Sequence, residues 1–269
     1  MSISQIVVFF MIYSFLGWLW EMVYIPFEDK CFQNRGFLFG PICPIYGFCI
    51  MFLYFLVNNV PIFVSAEMTT LKLFFICMFG SAIIEFVTSW GLETLFNARW
   101  WDYSKFPLNI NGRICVPASI FFGLMGITLV KYVFPIMSLI INIVPSVAFE
   151  TLALILMMIF GADYALTQAS LSSLLEKIEN ANREFIEKGE SVYQVVASTP
   201  SNIKKRISDY EEETREKARS IADGLSISQK YLLSRITKFG GSISKSEDRS
   251  RKNMIGNRMK EYLNSFRKK

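Results

Sequence analysis

The sequence predicts an all-α membrane protein: about five transmembrane helices, then a basic, helical tail with a coiled-coil-like pattern. Three observations predict it. Apolar residues make up 52% of the 269 residues, and 25 of them are Phe, more than a soluble chain of this length needs. These residues come in blocks of about 20, the length that spans a hydrocarbon core near 30 Å. Charge divides the chain as well: residues 1–165 hold 7 Lys+Arg and 9 Asp+Glu, whereas residues 166–269 hold 21 and 14. The expected domains are therefore a transmembrane part over 1–165, a cytoplasmic helical region over 166–239, and a basic, disordered tail over 240–269.

The first block opens almost at Met1 without a basic leader and is too long for a signal-peptide core, so it reads as a retained helix over about 3–25, stopped by Pro26. Ser14, Gly17, Glu21 and Tyr24 fall on one face of it, a face unsuited to lipid. Next comes Asn34-Arg35-Gly36-Phe37-Leu38-Phe39-Gly40-Pro41-Ile42-Cys43-Pro44-Ile45-Tyr46-Gly47. Its glycines and prolines prevent a regular helix through the first half, yet it is too apolar for a solvated connector. Irregular backbone at a bilayer edge needs its N–H and C=O groups satisfied by protein or a water-filled cavity. The stretch is expected to fold back against helices, with Arg35 held near the membrane.

Helix two is expected over about 42–60, with Pro44 in its first turn. Helix three, about 71–95, carries Ser81, Glu85, Thr88, Ser89 and Glu93 at offsets of three and four, a polar stripe on an apolar rod. Arg99-Trp100-Trp101-Asp102-Tyr103 has interfacial aromatics, and Trp18, Trp20, Trp90, Trp100 and Trp101 together read as a girdle. Helices four and five are expected over about 114–134 and 136–160, the latter kinked at Pro145 with Glu150 near mid-membrane. Beyond Gly161, Leu171, Leu174, Ile178, Ala181 and Phe185 approximate a heptad seam. Ser201 or Asn202 is placed to cap the next helix.

The membrane part reads as two copies of one unit. A helix with Glu21, then Asn34-Arg35-Gly36 and Cys43-Pro44, is echoed by a helix with Glu85, then Asn111-Gly112-Arg113 and Cys115-Val116-Pro117. With five spans, Lys30, Arg35, Arg99, Lys105 and Arg113 share a side with the basic tail. Positive-inside then puts that side in the cytoplasm and the N-terminus outside.

Several chemistries are excluded. There is no histidine, hence no His-based catalysis or haem ligation. The five cysteines have no zinc-ligand spacing, and neither a Walker A nor a dinucleotide glycine pattern occurs. No cofactor is expected, no nucleic-acid motif is present, and a catalytic role is not indicated. The informative residues are the intramembrane acids Glu21, Glu85, Glu93 and Glu150. An ionised carboxylate at the bilayer centre costs about 2.5–3.5 kcal/mol even on the lenient insertion scale. Such groups line a pathway, pair with a cation or stay protonated. Arg35 and Arg113 are the natural partners of Glu21 and Glu93, and a local Arg99–Asp102 pair is a third.

Gly17-Trp18-Leu19-Trp20-Glu21, the Asn34–Gly47 stretch, Ala98-Arg99-Trp100-Trp101-Asp102-Tyr103-Ser104 and Asn111-Gly112-Arg113-Ile114-Cys115 resemble a bacterial membrane family, the putative ABC-transporter type IV permeases, over roughly residues 5–160. The resemblance implies a membrane subunit energised by a separate ATPase and contributes no functional residues. The leading reading is such a subunit, with a cavity at its cytoplasmic half lined by Glu21, Arg35, Glu85, Glu93 and Arg113. Five spans would need a homo-oligomer or a second membrane subunit to enclose a path, and the basic tail would rest on anionic lipid. One alternative is a scaffold or regulatory protein recruiting partners through that tail. Another is an enzyme of lipid or envelope precursors, with Glu85 or Asp102 as base and the arginines gripping phosphate.

Overall fold

The computed structural model describes residues 1–29, 36–61, 68–198, 203–239 and 254–267. Among these, four helical runs are long and apolar enough to cross a membrane, at Ile3–Met22, Thr70–Phe96, Val116–Ile143 and Ser146–Glu184, and a shorter apolar helix spans Pro44–Asn59. In chain order the elements begin with α1 (Ile3–Asp29), α2 (Pro44–Asn59), α3 (Thr70–Phe96), β1 (Ala98–Arg99), β2 (Asn109–Ile110) and β3 (Ile114–Cys115). They continue with α4 (Val116–Thr128), α5 (Phe134–Ile143), α6 (Ser146–Ser198), α7 (Ile203–Asp223), α8 (Ile227–Arg235), β4 (Lys238–Phe239) and α9 (Met254–Arg267). The chain forms two compact units, Met1–Gly91 with Trp101–Thr167, and Leu92–Trp100 with Gln168–Lys269.

In the first unit, α1 and α2 lie together because small residues let them. A Cβ on Gly47 would lie 2.5 Å from the Phe10 carbonyl oxygen and would also meet Ser14 Oγ. The Cys43 N–H donates to the Ser14 carbonyl at 3.0 Å, and Pro44 occupies the first turn of α2, where its missing N–H costs nothing. Ser14 and Gly17 are buried, so the polar face of α1 turns onto protein; the Tyr24 side chain lies outside the described residues. Gly123 of α4 repeats this approach on α3, where a Cβ would lie 2.7 Å from Phe74 and 3.1 Å from Met78.

The Gly36–Ile42 stretch folds back as its composition requires. Leu38 and Ile42 pack with Met11 of α1, and Leu156 and Phe160 of α6 close over them. Two of its N–H groups are met by one carboxylate: the Phe39 N–H donates to Asp163 Oδ1 at 3.0 Å and the Gly40 N–H to Asp163 Oδ2 at 2.9 Å. Thr167 Oγ1 also accepts from Phe39 N–H, at 3.2 Å. A second cluster joins Val8, Phe9 and Tyr13 to Met137 of α5 and to Phe149 and Ala153 of α6.

Four helix limits differ from the sequence expectation: α6 runs on past Phe160 and Gly161 to Ser198, and the other three lie at prolines. α1 continues through Pro26 to Asp29, because a proline near a helix end forfeits a single hydrogen bond. The fourth run does not stop before Pro135. Leu129–Val133 widens into a π-turn in which the Phe134 N–H reaches the Leu129 carbonyl, a spacing that takes the ring without ending the run. The break falls instead at Val144–Pro145, between Ile143 and Ser146, so Pro145 separates two helices rather than kinking one.

The second unit has its own core. Leu171, Leu174, Ile178 and Ala181 of the expected seam are buried, as are Ala218, Ala222, Leu232, Leu233 and Met259; the Phe185 side chain lies outside the described residues. The seam is met within the same unit: Gln229 of α8 donates to Ser173 and accepts from Lys177, both at 3.0 Å. Ser226 caps α8 in a reciprocal box with Gln229. β1 pairs antiparallel with β4, Ala98 opposite Phe239 and Arg99 opposite Lys238. Disorder was expected from residue 240 onward, but Met254–Arg267 is a helix. Its Met259 is fully buried, and its Asn257 accepts from the Phe239 N–H at 3.0 Å and donates to the Phe239 carbonyl at 3.2 Å. Trp100 is likewise not interfacial: it is 4% exposed and stacks edge-on against Phe96. Residues 201 and 202, the expected cap of α7, lie outside the described residues.

Substituting Gly47 with Ala is expected to destabilise the first unit by about 1–3 kcal/mol, read as a lowered melting temperature in detergent. Ser14→Ala is expected not to rescue it, because the Phe10 carbonyl remains in the way.

Candidate functional site

Two carboxylate–tyrosine pairs form the polar centre of the first unit. Gly17 and Glu21 lie one turn apart on α1. The Tyr46 ring of α2 lies over Gly17, where a Cβ would fall within the ring's own atoms, and its hydroxyl donates to Glu21 Oε1. The missing side chain at Gly17 is therefore what lets a tyrosine lie along the helix and reach the acid. Phe122 of α4 packs beside Tyr46, ring centroids 6.3 Å apart.

The second pair is built by a connector. Asn111 and Gly112 both adopt positive φ, 53° and 68°, and the Arg113 N–H closes the turn on the Ile110 carbonyl at 3.0 Å. That is the twist an Asn-Gly hairpin favours. It pairs β2 with β3, Asn109 opposite Cys115, and the Tyr103 N–H donates to the Gly112 carbonyl at 2.7 Å. So held, the Tyr103 hydroxyl donates to Glu85 Oε1 at 2.9 Å.

Glu85 is 8% exposed, and its Oε2 is buried without a hydrogen-bond partner among the described residues. Glu21 lies close enough for its charge to act on both Glu85 and Tyr103. Burial first, and then the Glu85 charge and hydrogen bond, raise the Tyr103 hydroxyl well above its usual pKa of 10.0. Tyr103 therefore remains a neutral donor at any physiological pH. Cys49 of α2 also lies within reach of the Glu85 charge. Among the described residues no group of three His, Cys, Asp or Glu could hold a metal ion.

The other expected site residues lie elsewhere. Glu93 belongs to the second unit, where Arg99 Nε donates to its Oε2 at 2.8 Å and Arg99 Nη2 to its Oε1 at 3.4 Å. Arg99 was expected to pair with Asp102. Asp102 instead accepts from the Ser104 N–H at 3.0 Å and from its hydroxyl, closing a local turn. Arg113 is 1% exposed, its guanidinium 5.5 Å from the centroid of Phe86, and Trp101 Nε1 donates to its carbonyl at 3.0 Å. Glu150 is exposed at the fifth residue of α6, near the helix start, where a negative charge is favoured. Arg35 lies outside the described residues. Sequence reasoning missed Tyr46, Tyr103 and Asp163. Tyr46 was named only within the Asn34–Gly47 stretch, and Tyr103 was read among the interfacial aromatics. Asp163 closes an apolar run and carried the one available signal, a lone acid beside Gly161.

Carboxylates met by tyrosines, on two of the helices long and apolar enough to span a bilayer, fit a membrane protein with a polar centre in its first unit. The chain belongs to the family described as Putative ABC-transporter type IV, whose model matches residues 8–168. No curated protein and no solved structure matches the chain.

Spectrophotometric titration is expected to find Tyr103 still protonated at pH 10, where an exposed tyrosine is half ionised. A hydroxyl raised in the folded state adds stability below the unfolded pKa near 10, and that contribution is lost as pH climbs higher. Tyr103→Phe should leave the tyrosinate signal between pH 10 and 11 unchanged and cost about 1–3 kcal/mol, since Glu85 loses its donor. For the Arg99–Glu93 pair, side chains 5% and 2% exposed, Arg99→Ala should cost about 3–5 kcal/mol by stranding a buried charge. The Arg99→Met/Glu93→Leu double variant should recover most of that in a denaturant series.

Proposed function

We propose that this chain is the membrane subunit of a transporter energised by a separate ATPase. Family membership supports this, and the observation that carries it is that Glu21 and Glu85, each bonded by a tyrosine, lie within reach of one another's charge. Two carboxylates on different apolar helices, each costly in lipid, belong where a pathway or cavity takes them out of contact with acyl chains.

The proposed topology has five spans, with α2 as the short one: 16 residues rise about 24 Å, which local thinning and neighbouring helices accommodate. The N-terminus lies outside and residues 168–269 in the cytoplasm of a bacterium, with Arg99, Lys105 and Arg113 on the same side. Helices α1–α2 and α3–α4 are two parallel copies of one unit. In support, Gly47 sits on Phe10 and Ser14 while Gly123 sits on Phe74 and Met78; Phe10, Ser14 and Glu21 match Phe74, Met78 and Glu85 at one constant offset. Enclosing a path takes a second copy or another membrane subunit, and the basic end of the chain rests on anionic lipid.

A second reading is a scaffold that recruits cytoplasmic partners. It is favoured by the separate core of the second unit, including Leu171, Leu232 and Met259. Gentle-detergent purification of the tagged protein from its native membrane, with crosslinking and mass spectrometry, separates the two. The transporter reading expects a stoichiometric P-loop ATPase, and substrate-stimulated ATP hydrolysis that falls at least tenfold in Glu85→Gln while the complex stays assembled. Recovery of the chain alone, or with non-ATPase partners, overturns it in favour of the scaffold.

A further inference from the structure

We infer that Glu85 Oε2 is a ligand in a binding site for a small monovalent cation, an alkali-metal ion or an ammonium group, at the centre of the first unit. The argument is one of donors and acceptors. Tyr46 spends its hydroxyl proton on Glu21 and Tyr103 spends its own on Glu85. Each phenolic oxygen is thereby left with lone pairs alone. Glu85 receives that single hydrogen bond, no described Lys or Arg pairs with it, and its second oxygen is buried with nothing to accept from.

A buried carboxylate oxygen without a donor is strongly disfavoured, and the nearby Glu21 charge adds to the penalty. Among the described residues the oxygens gathered here, two carboxylates and two phenols whose protons are already spent, act as acceptors, with the Cys49 thiol a weak donor within reach of the Glu85 charge. Acceptor-rich chemistry in an apolar surround selects a ligand that carries positive charge, with donors or with its charge alone. The absence of a third carboxylate or thiolate in ligand spacing among the described residues argues for one positive charge rather than two. The inference deepens the transporter reading and rests on it for the site's use, whereas binding itself is measured on the chain without an ATPase.

The test is thermal unfolding of the purified full chain in detergent, at fixed ionic strength, in sodium, potassium, ammonium or methylammonium chloride against N-methyl-D-glucamine chloride. At least one cation is expected to raise the melting temperature saturably, by about 5 °C near a hundredfold excess over Kd. Glu85→Gln is expected to abolish that shift, and Tyr103→Phe to weaken half-saturation roughly tenfold. No shift with any of the cations, or a shift that survives in Glu85→Gln, overturns the inference.

If Glu85→Gln does not fold, labelling of the wild-type chain by dicyclohexylcarbodiimide, read by peptide mass spectrometry, decides. The stabilising cation should lower modification of Glu85 several-fold. Equal labelling in every salt overturns the inference and leaves a proton as the occupant. Cation binding without a co-purifying ATPase sinks the transporter reading alone; an ATPase with no cation binding sinks this inference alone.

Discussion

The first unit depends on how one irregular piece of main chain is satisfied away from water. Phe39 and Gly40 sit where the backbone makes no helical hydrogen bonds, and in an apolar surround an unpaired N–H costs several kcal/mol. The Asp163 carboxylate takes both N–H groups, and Gly40 has no side chain because a Cβ would lie 2.7 Å from that carboxylate. With the segment fixed, Leu38 and Ile42 are buried against α1. Cys43 then hydrogen-bonds Ser14, and α2 starts where Tyr46 can lie over Gly17. The position of the Glu21–Tyr46 pair thus follows from main-chain satisfaction several residues earlier.

The same economy governs the charges. Glu21, Glu85 and Glu93 are each placed beside a donor that the local backbone delivers: Tyr46 by the Gly17 notch, Tyr103 by the Asn111-Gly112 turn, Arg99 by the turn that ends α3. There Asn97 adopts a φ of 51°, and its N–H bonds back to the Glu93 carbonyl at 2.9 Å. A tyrosine neutralises less than an arginine does. Glu93, held by a guanidinium, is a structural pair, whereas Glu85, held by a phenol, keeps an unmet oxygen and with it the capacity to bind something else.

Much of this was legible in the sequence. The polar faces of α1 and α3 were marked by Ser14, Gly17 and Glu21 and by Ser81, Glu85 and Ser89, since helical periodicity alone puts them together. The back-folding of the Gly36–Ile42 stretch followed from its glycines, prolines and apolar side chains. Pairings were less legible. Arg99 lies near both Asp102 and Glu93 in sequence, and the choice was made by Asp102 closing its own turn on Ser104, which left Glu93 to the guanidinium. Proline positions misled for a related reason: Pro26 and Pro135 are absorbed by a helix end and a π-turn, whereas Pro145 divides two helices.

By itself the sequence determined the class of protein, the existence of its long apolar helices and which acids are set into them, because length, hydropathy and period are local properties of the chain. Tertiary structure decided which donor each acid meets, that Met254–Arg267 is ordered by Asn257 on Phe239, and that Asp163 holds a segment more than a hundred residues away in sequence. Those outcomes are contacts between distant stretches, set by competition among donors for a few buried oxygens, and no local pattern records who wins.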